Sequence, residues 1–172
     1  LYYRKLKYPT THEGNEFLEL LAEGGYMVGK LATLLYPGGI DLSNEASPEK
    51  SAERTRELIL NHENIVIFEA SVMFENFLIR IDILEKKGNK INLIEVKAKS
   101  FDSAEAAKEK TALGEYLEDV AFQYYVITNA YPQFEIKPYL LMPDKDKVTG
   151  IEGLNGLFEL VKTQKPGSKF IS

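Results

Sequence analysis

Asp82, Glu95 and Lys97 are the residues whose types and spacing best support chemistry in this sequence. Glu95 and Lys97 stand two apart in the β-rich run KINLIEVKAK (90–99), so on a strand both project to one face. Asp82 lies in the preceding run NFLIRIDILE (76–85). Between the runs, Lys87-Gly88-Asn89-Lys90 reads as a hairpin with Gly88 and Asn89 central in a two-residue turn. In that register Ile83 faces Ile94, Ile81 faces Val96 and Ile79 faces Ala98, which makes one continuous apolar face. On the other face Leu84 meets Leu93, Arg80 meets Lys97, and Asp82 lies directly opposite Glu95. A slip of one residue would scramble both faces, so the apolar pairs fix the register independently of any chemistry.

Directly opposed side chains have Cβ atoms roughly 4.5–5.5 Å apart, and like charges there repel. Such repulsion raises one carboxyl pKa unless a cation sits between the two. A hard divalent ion, Mg²⁺ or Mn²⁺, takes oxygen ligands, commonly one or two carboxylates completed by phosphate and water. Lys97 would then stabilise developing phosphate charge or orient an attacking water. The plainer alternative is a solvated polar face, on which Arg80 and Lys97 neutralise the acids without a metal.

Several elements must position these residues. Apolar residues from about Glu13 to Leu35 recur at helical spacing, interrupted by Gly24, Gly25 and Gly29. Ala22, Gly25, Gly29 and Ala32 form a small-residue stripe, suited to close packing against a strand or to close approach of a phosphate backbone. Tyr36-Pro37-Gly38-Gly39 stops that helix, and Ser47-Pro48-Glu49 opens a charged surface helix running to about Asn61. Three strands follow, over 64–74, 76–85 and 90–99. Next come a helix from about Ser103 or Gly114 to Asn129, a strand over Ile136–Met142, and a final helix over Leu154–Lys162. This order predicts an α/β fold whose mixed central sheet contains an antiparallel meander flanked by helices. Within the sheet Glu69 is expected to face with Ile65 and Ile67, where a carboxylate needs a partner; it is a candidate for the rim of the site.

Ile81-Asp82-Ile83, followed after a turn by Ile94-Glu95-Val96-Lys97, resembles the D…ExK signature of the PD-(D/E)XK nuclease superfamily. It looks most like the branch of RecB-like and CRISPR-associated exonucleases. The resemblance covers about residues 13–142 and implies a restriction-endonuclease-like core of α-βββ-α-β order, with 143–172 as a C-terminal extension. It implies metal-dependent hydrolysis of DNA phosphodiesters, with Asp82, Glu95 and the Val96 carbonyl holding one or two Mg²⁺ or Mn²⁺ ions and Lys97 assisting. Relatives carry a Gln, followed by a Tyr, on the helix after the third strand. Here Gln123 and Tyr124 stand in Asp119-Val120-Ala121-Phe122-Gln123-Tyr124-Tyr125, although the usual spacing places the Tyr where this chain has Ile127. Asp119 and Gln123, four apart, share a helix face. The family also draws a ligand from the first helix, which offers Glu16, Glu19 and Glu23; Glu23 is the choice because it neighbours the small-residue stripe.

Other chemistries find less support. His12 and His62 are isolated, no phosphate-binding or dinucleotide glycine pattern occurs, and the tyrosines are too scattered for a base-stacking platform. Zero cysteines exclude thiolate catalysis, and no iron–sulfur cluster can be built from residues of this stretch. A glycosidase-type carboxylate pair would stand farther apart than hairpin partners do, and Lys97 would have no role in it.

The 172 residues, 44% hydrophobic and 27% charged, suit one domain with a real core. The chain starts at Leu1 and reads as a fragment of a longer protein. Net charge is −5, yet residues 80–110 carry 8 basic against 6 acidic residues, the net-basic part of the sequence. The acidic balance implies that further domains or protein partners supply much of the affinity for DNA. No apolar run approaches the roughly 18 residues that span a bilayer, and a cytoplasmic location is expected. The alternative expectation is a catalytically silent binding or scaffold module of the same fold.

Overall fold

A computed structural model describes residues 16–104, 113–148, 150 and 152, with side chains from Gly24 onward. Its elements run in the order α1 (Glu16–Thr33), β1 (Ile40–Asp41), α2 (Pro48–Asn61), β2 (Asn64–Phe74), β3 (Phe77–Lys87), β4 (Lys90–Val96), α3 (Gly114–Ala130) and β5 (Glu135–Leu141). The five strands form one mixed sheet in sequential order. β2, β3 and β4 are an antiparallel meander, while β1 and β5 join its two edges in parallel. The expected α/β class and mixed sheet are therefore present. The short edge strand β1 is an addition that the sequence pattern does not announce, and the proposed helix over Leu154–Lys162 lies outside the described residues.

Local chemistry explains where elements start and stop. Ser47 caps α2, its Oγ accepting from the Lys50 N–H at 3.3 Å, and Pro48 fills the first turn where no amide partner is needed. At the other end Lys86, only 6% exposed, donates to the carbonyls of His62 at 2.6 Å and Glu63 at 3.1 Å. That places a cation at the negative end of the helix. Gly88 takes a positive φ of 55° in the turn joining β3 and β4, and Lys87 pairs with Lys90, as the turn residues predict.

Each face of the sheet buries its own cluster. One carries Ile67, Ala70, Val72, Ile79, Ile81, Leu84 and Leu93 against Leu58 and Ile59 of α2 and Val120, Val126 and Ile127 of α3. The other carries Phe68, Ile83 and Ile94 against Ala32 of α1, with Val66, Val96 and Leu141 at its margin. The register sets Ile83 against Ile94 and Leu84 against Leu93, as the sequence requires.

The continuous apolar face of Ile79, Ile81 and Ile83 does not form. Ile79 and Ile81 pack with α2 and α3, whereas Ile83 packs with α1. Along β2 the first face is reached by Ile65, Ile67, then Ala70 and Val72; along β3 it is reached by Ile79, Ile81, then Leu84. The step of two becomes a step of three in both strands at one height. Phe68 pairs with Ile83 and Ala70 with Ile81, so the interruption falls at Glu69 and Asp82. Glu69 supplies the cause: its φ of 56° is left-handed, which breaks the pleat and resets the alternation. Glu69 consequently does not share a face with Ile65 and Ile67.

The glycine stripe of α1 also differs from the packing expectation. A Cβ added at Gly25 or Gly29 would meet nothing within 4 Å, so these glycines line open space, whereas Ala32 is buried. Gly39 is the glycine that close packing requires, because a Cβ there would collide with the buried Phe68 ring. Gly39→Ala is expected to destabilise the fold by about 1–3 kcal/mol through overpacking, a change that urea unfolding would measure.

Candidate functional site at the parting of β3 and β4

The β3–β4 ladder ends at Ile83 and Ile94. Beyond it β4 stays with β5, Val96 pairing with Leu141 and the Lys97 N–H donating to the Leu141 carbonyl at 3.0 Å. The Val96 N–H donates instead to Asp82 Oδ2 at 2.7 Å. A carboxylate thus takes the amide at the point where the two strands separate. Farther along, Phe101 bridges to Asp144, which keeps the segment after Lys97 tied beside the chain that leaves β5.

Glu95 is 8% exposed and both of its oxygens are engaged. Oε1 meets Lys97 Nζ at 2.9 Å, and Oε2 accepts from Gln123 Nε2 of α3 at 2.7 Å. Lys97 also reaches Asp119 Oδ2 at 3.2 Å and lies 5.3 Å from the centre of the Tyr116 ring. Tyr116, Asp119 and Gln123 are spaced three and four apart, so one face of α3 serves the site. Burial works against the Lys97 charge, but Glu95 and then Asp119 outweigh it, and its pKa is raised.

Asp82 is the most perturbed group of the site. Burial, and next the Glu95 charge, push its pKa up from 3.8 to about 6, against the opposing pull of the Val96 N–H and of Lys97. Glu69 is also raised, first by burial, despite Arg80 Nη1 at 3.7 Å. Its charge adds to the rise at Asp82. Arg80 therefore serves Glu69, not the site opposite Lys97 that the simple hairpin pairing assigned to it.

The structure brings Asp82, Glu95, Val96, Lys97 and Gln123 together, with Val96 contributing its N–H to Asp82. Tyr124 is 39% exposed and stands about 100° round α3 from Gln123. The aromatic ring beside Lys97 is that of Tyr116, which sequence reasoning missed. Asp119 was visible only as a neighbour of Gln123 by helical spacing, with nothing to tie it to Lys97. Glu23 lies on α1, but its side chain, like those of Glu16 and Glu19, falls outside the described residues.

Among the described residues no group of three or more His, Asp or Glu side chains could by itself hold a metal ion. The acidic donors at the site are the carboxylates of Asp82 and Glu95, and the Gln123 amide oxygen, whose nitrogen faces Glu95, is buried without a hydrogen-bond donor. That set fits a hard ion such as Mg²⁺ or Mn²⁺, which keeps several waters and needs few protein ligands. The chain matches no family model, no curated protein and no solved structure.

Burial of Asp82 makes stability depend on pH. Its folded pKa lies above the unfolded one, so the folded chain holds the extra proton between them. The stability linked to that proton is present below about pH 4 and lost as pH rises through about 6. Asp82→Asn keeps an oxygen for the Val96 N–H and removes the ionisation. In EDTA it is expected to be more stable than the unsubstituted chain by about 1–3 kcal/mol at about pH 8, with the difference vanishing near pH 4. Unfolding curves at the two pH values check this.

Proposed function

We propose that this chain is a Mg²⁺- or Mn²⁺-dependent nuclease of the PD-(D/E)XK type that hydrolyses DNA phosphodiesters, acting as an exonuclease. The observation that carries the reading is the convergence of Asp82, Glu95, Lys97 and Gln123 where β3 and β4 part. The element order supports it: leaving aside α2 and the short β1, a helix, three meander strands, a helix and a parallel strand follow the restriction-endonuclease-like α-βββ-α-β arrangement.

Each residue has a physical task under this reading. Asp82 and Glu95 hold the cation, with the Val96 carbonyl a further oxygen at the same strand position. Such an ion, when bound, supplies positive charge against phosphate oxygens and lowers the pKa of water. Gln123 fixes the Glu95 carboxylate through its Nε2–H. Lys97 keeps a full positive charge at the site, where it stabilises charge developing on the phosphate. With a net charge of −5, the chain relies on other domains or partner proteins for part of its grip on DNA. No helix among the described residues is long and apolar enough to cross a membrane, and we place the activity in the cytoplasm.

One observation favours a second reading, a scaffold of this fold without catalysis. Lys97 and Gln123 engage both Glu95 oxygens, so side chains of the fold alone can satisfy that carboxylate. Incubation with linear and circular DNA, single- and double-stranded, in Mn²⁺, Mg²⁺ or EDTA separates the two. The nuclease reading expects cleavage of linear DNA that EDTA abolishes. Lys97→Ala and Asp82→Ala are each expected to slow it by about 10²-fold or more. Cleavage indifferent to both substitutions would overturn the site, and no cleavage in any metal would favour the scaffold.

A further inference from the structure

Lys97 stands between two carboxylates carried by different elements. Glu95 Oε1, on its own β-strand segment, is 2.9 Å away, and Asp119 Oδ2, on α3, is 3.2 Å away. The Tyr116 ring, three residues before Asp119 on α3, lies beside the same ammonium. If Glu95 holds a divalent cation, these contacts cannot all persist unchanged. Gln123 already takes one lone pair of Glu95 Oε2 and Lys97 holds Oε1, so Oε1 is the oxygen that movement of one flexible side chain would free. An ammonium and a divalent ion sharing one oxygen at contact distance repel strongly in a buried site. The lysine has to be held elsewhere, yet still close enough to act.

Asp119 satisfies both conditions. It already lies within ion-pair distance, and the flexible four-carbon stem of a lysine can transfer the ammonium without backbone movement. Its own side chain is 58% exposed, so keeping the ammonium there carries little of the desolvation cost that a second buried acid would add.

We propose that Asp119 is a positioning residue: a second seat for the Lys97 ammonium that frees Glu95 Oε1 for a divalent cation while holding the lysine at the site. The inference rests on the cation reading given above and adds to it where the ammonium goes when Glu95 gives up its oxygen. Without Asp119, the ammonium falls back on Glu95, its other carboxylate partner among the described residues, and competes with the ion.

The test is Mn²⁺ binding by calorimetry, without DNA, to the unsubstituted chain, Asp119→Asn, Lys97→Ala and the double variant. Asp119→Asn is expected to weaken Mn²⁺ binding about threefold, the scale of an exposed ion pair. Asp119→Glu should restore it, and Lys97→Ala alone should tighten it. The decisive comparison is the double variant: once Lys97 is gone, losing Asp119 should change nothing. Equal weakening in both backgrounds would mean that Asp119 acts on the ion through its own charge, which overturns the proposal, as does no weakening at all. Failure of the unsubstituted chain to bind Mn²⁺ would overturn the cation reading itself and this inference with it. Asp119 is exposed, and circular dichroism checks that every variant keeps the fold before binding is compared.

Discussion

The hydrogen bond from the Val96 N–H to Asp82 is the interaction on which the rest of the site depends. A site between two strands needs the ladder to open, and an opened ladder leaves amides without partners. A buried amide left so costs about 1–3 kcal/mol. Asp82 removes that cost from within the gap, because its carboxylate accepts at 2.7 Å where a strand carbonyl would otherwise do so. β4 can then remain on β5 while β3 turns away, and Glu95 and Lys97 are left facing α3. The same placement that satisfies the amide withdraws Asp82 from water, which is why it resists ionisation.

The charges around the gap follow from this arrangement. Asp41 pairs with Lys30, Glu69 with Arg80, and Glu95 and Asp119 with Lys97. Asp82 is held by an amide instead, and its pKa is pushed up to about 6. Each of these other acids thus has a lysine or arginine in ion-pair contact, whereas Lys97 acts on Asp82 only through its charge. Asp82 thus satisfies the Val96 amide at the cost of holding its own carboxylate in a buried place.

Much of this was legible in the sequence where a local rule has one solution. The Gly88-Asn89 turn and the period-two pattern fix Ile83 against Ile94 and Leu84 against Leu93. Ser47 and Pro48 mark the start of α2 because capping chemistry is nearly unique. What escaped the sequence depends on long-range context. No residue type announces the left-handed Glu69, since a glutamate rarely adopts that backbone, so alternation was carried through a point where it resets. A glycine stripe has the same composition whether its face is covered or open. Helical spacing groups Tyr116, Asp119 and Gln123, but only the sheet decides that this face, not that of Tyr124, turns toward Lys97.

The paired interruption at Glu69 and Asp82 constrains how the chain could change length. Because both strands slip by one residue at the same height, their pairing stays in step on either side: Phe68 with Ile83 and Ala70 with Ile81. Deleting Glu69 alone would restore a regular pleat in β2 and set Ala70 across from Asp82. Residues beyond it would then be offered to the wrong helical layer, and the amide of Val96 would face a strand no longer shaped to present a carboxylate. Insertions and deletions are therefore tolerated at the hairpin ends but not at this height, unless both strands alter together. The irregularity is a two-strand unit, gained or lost as one.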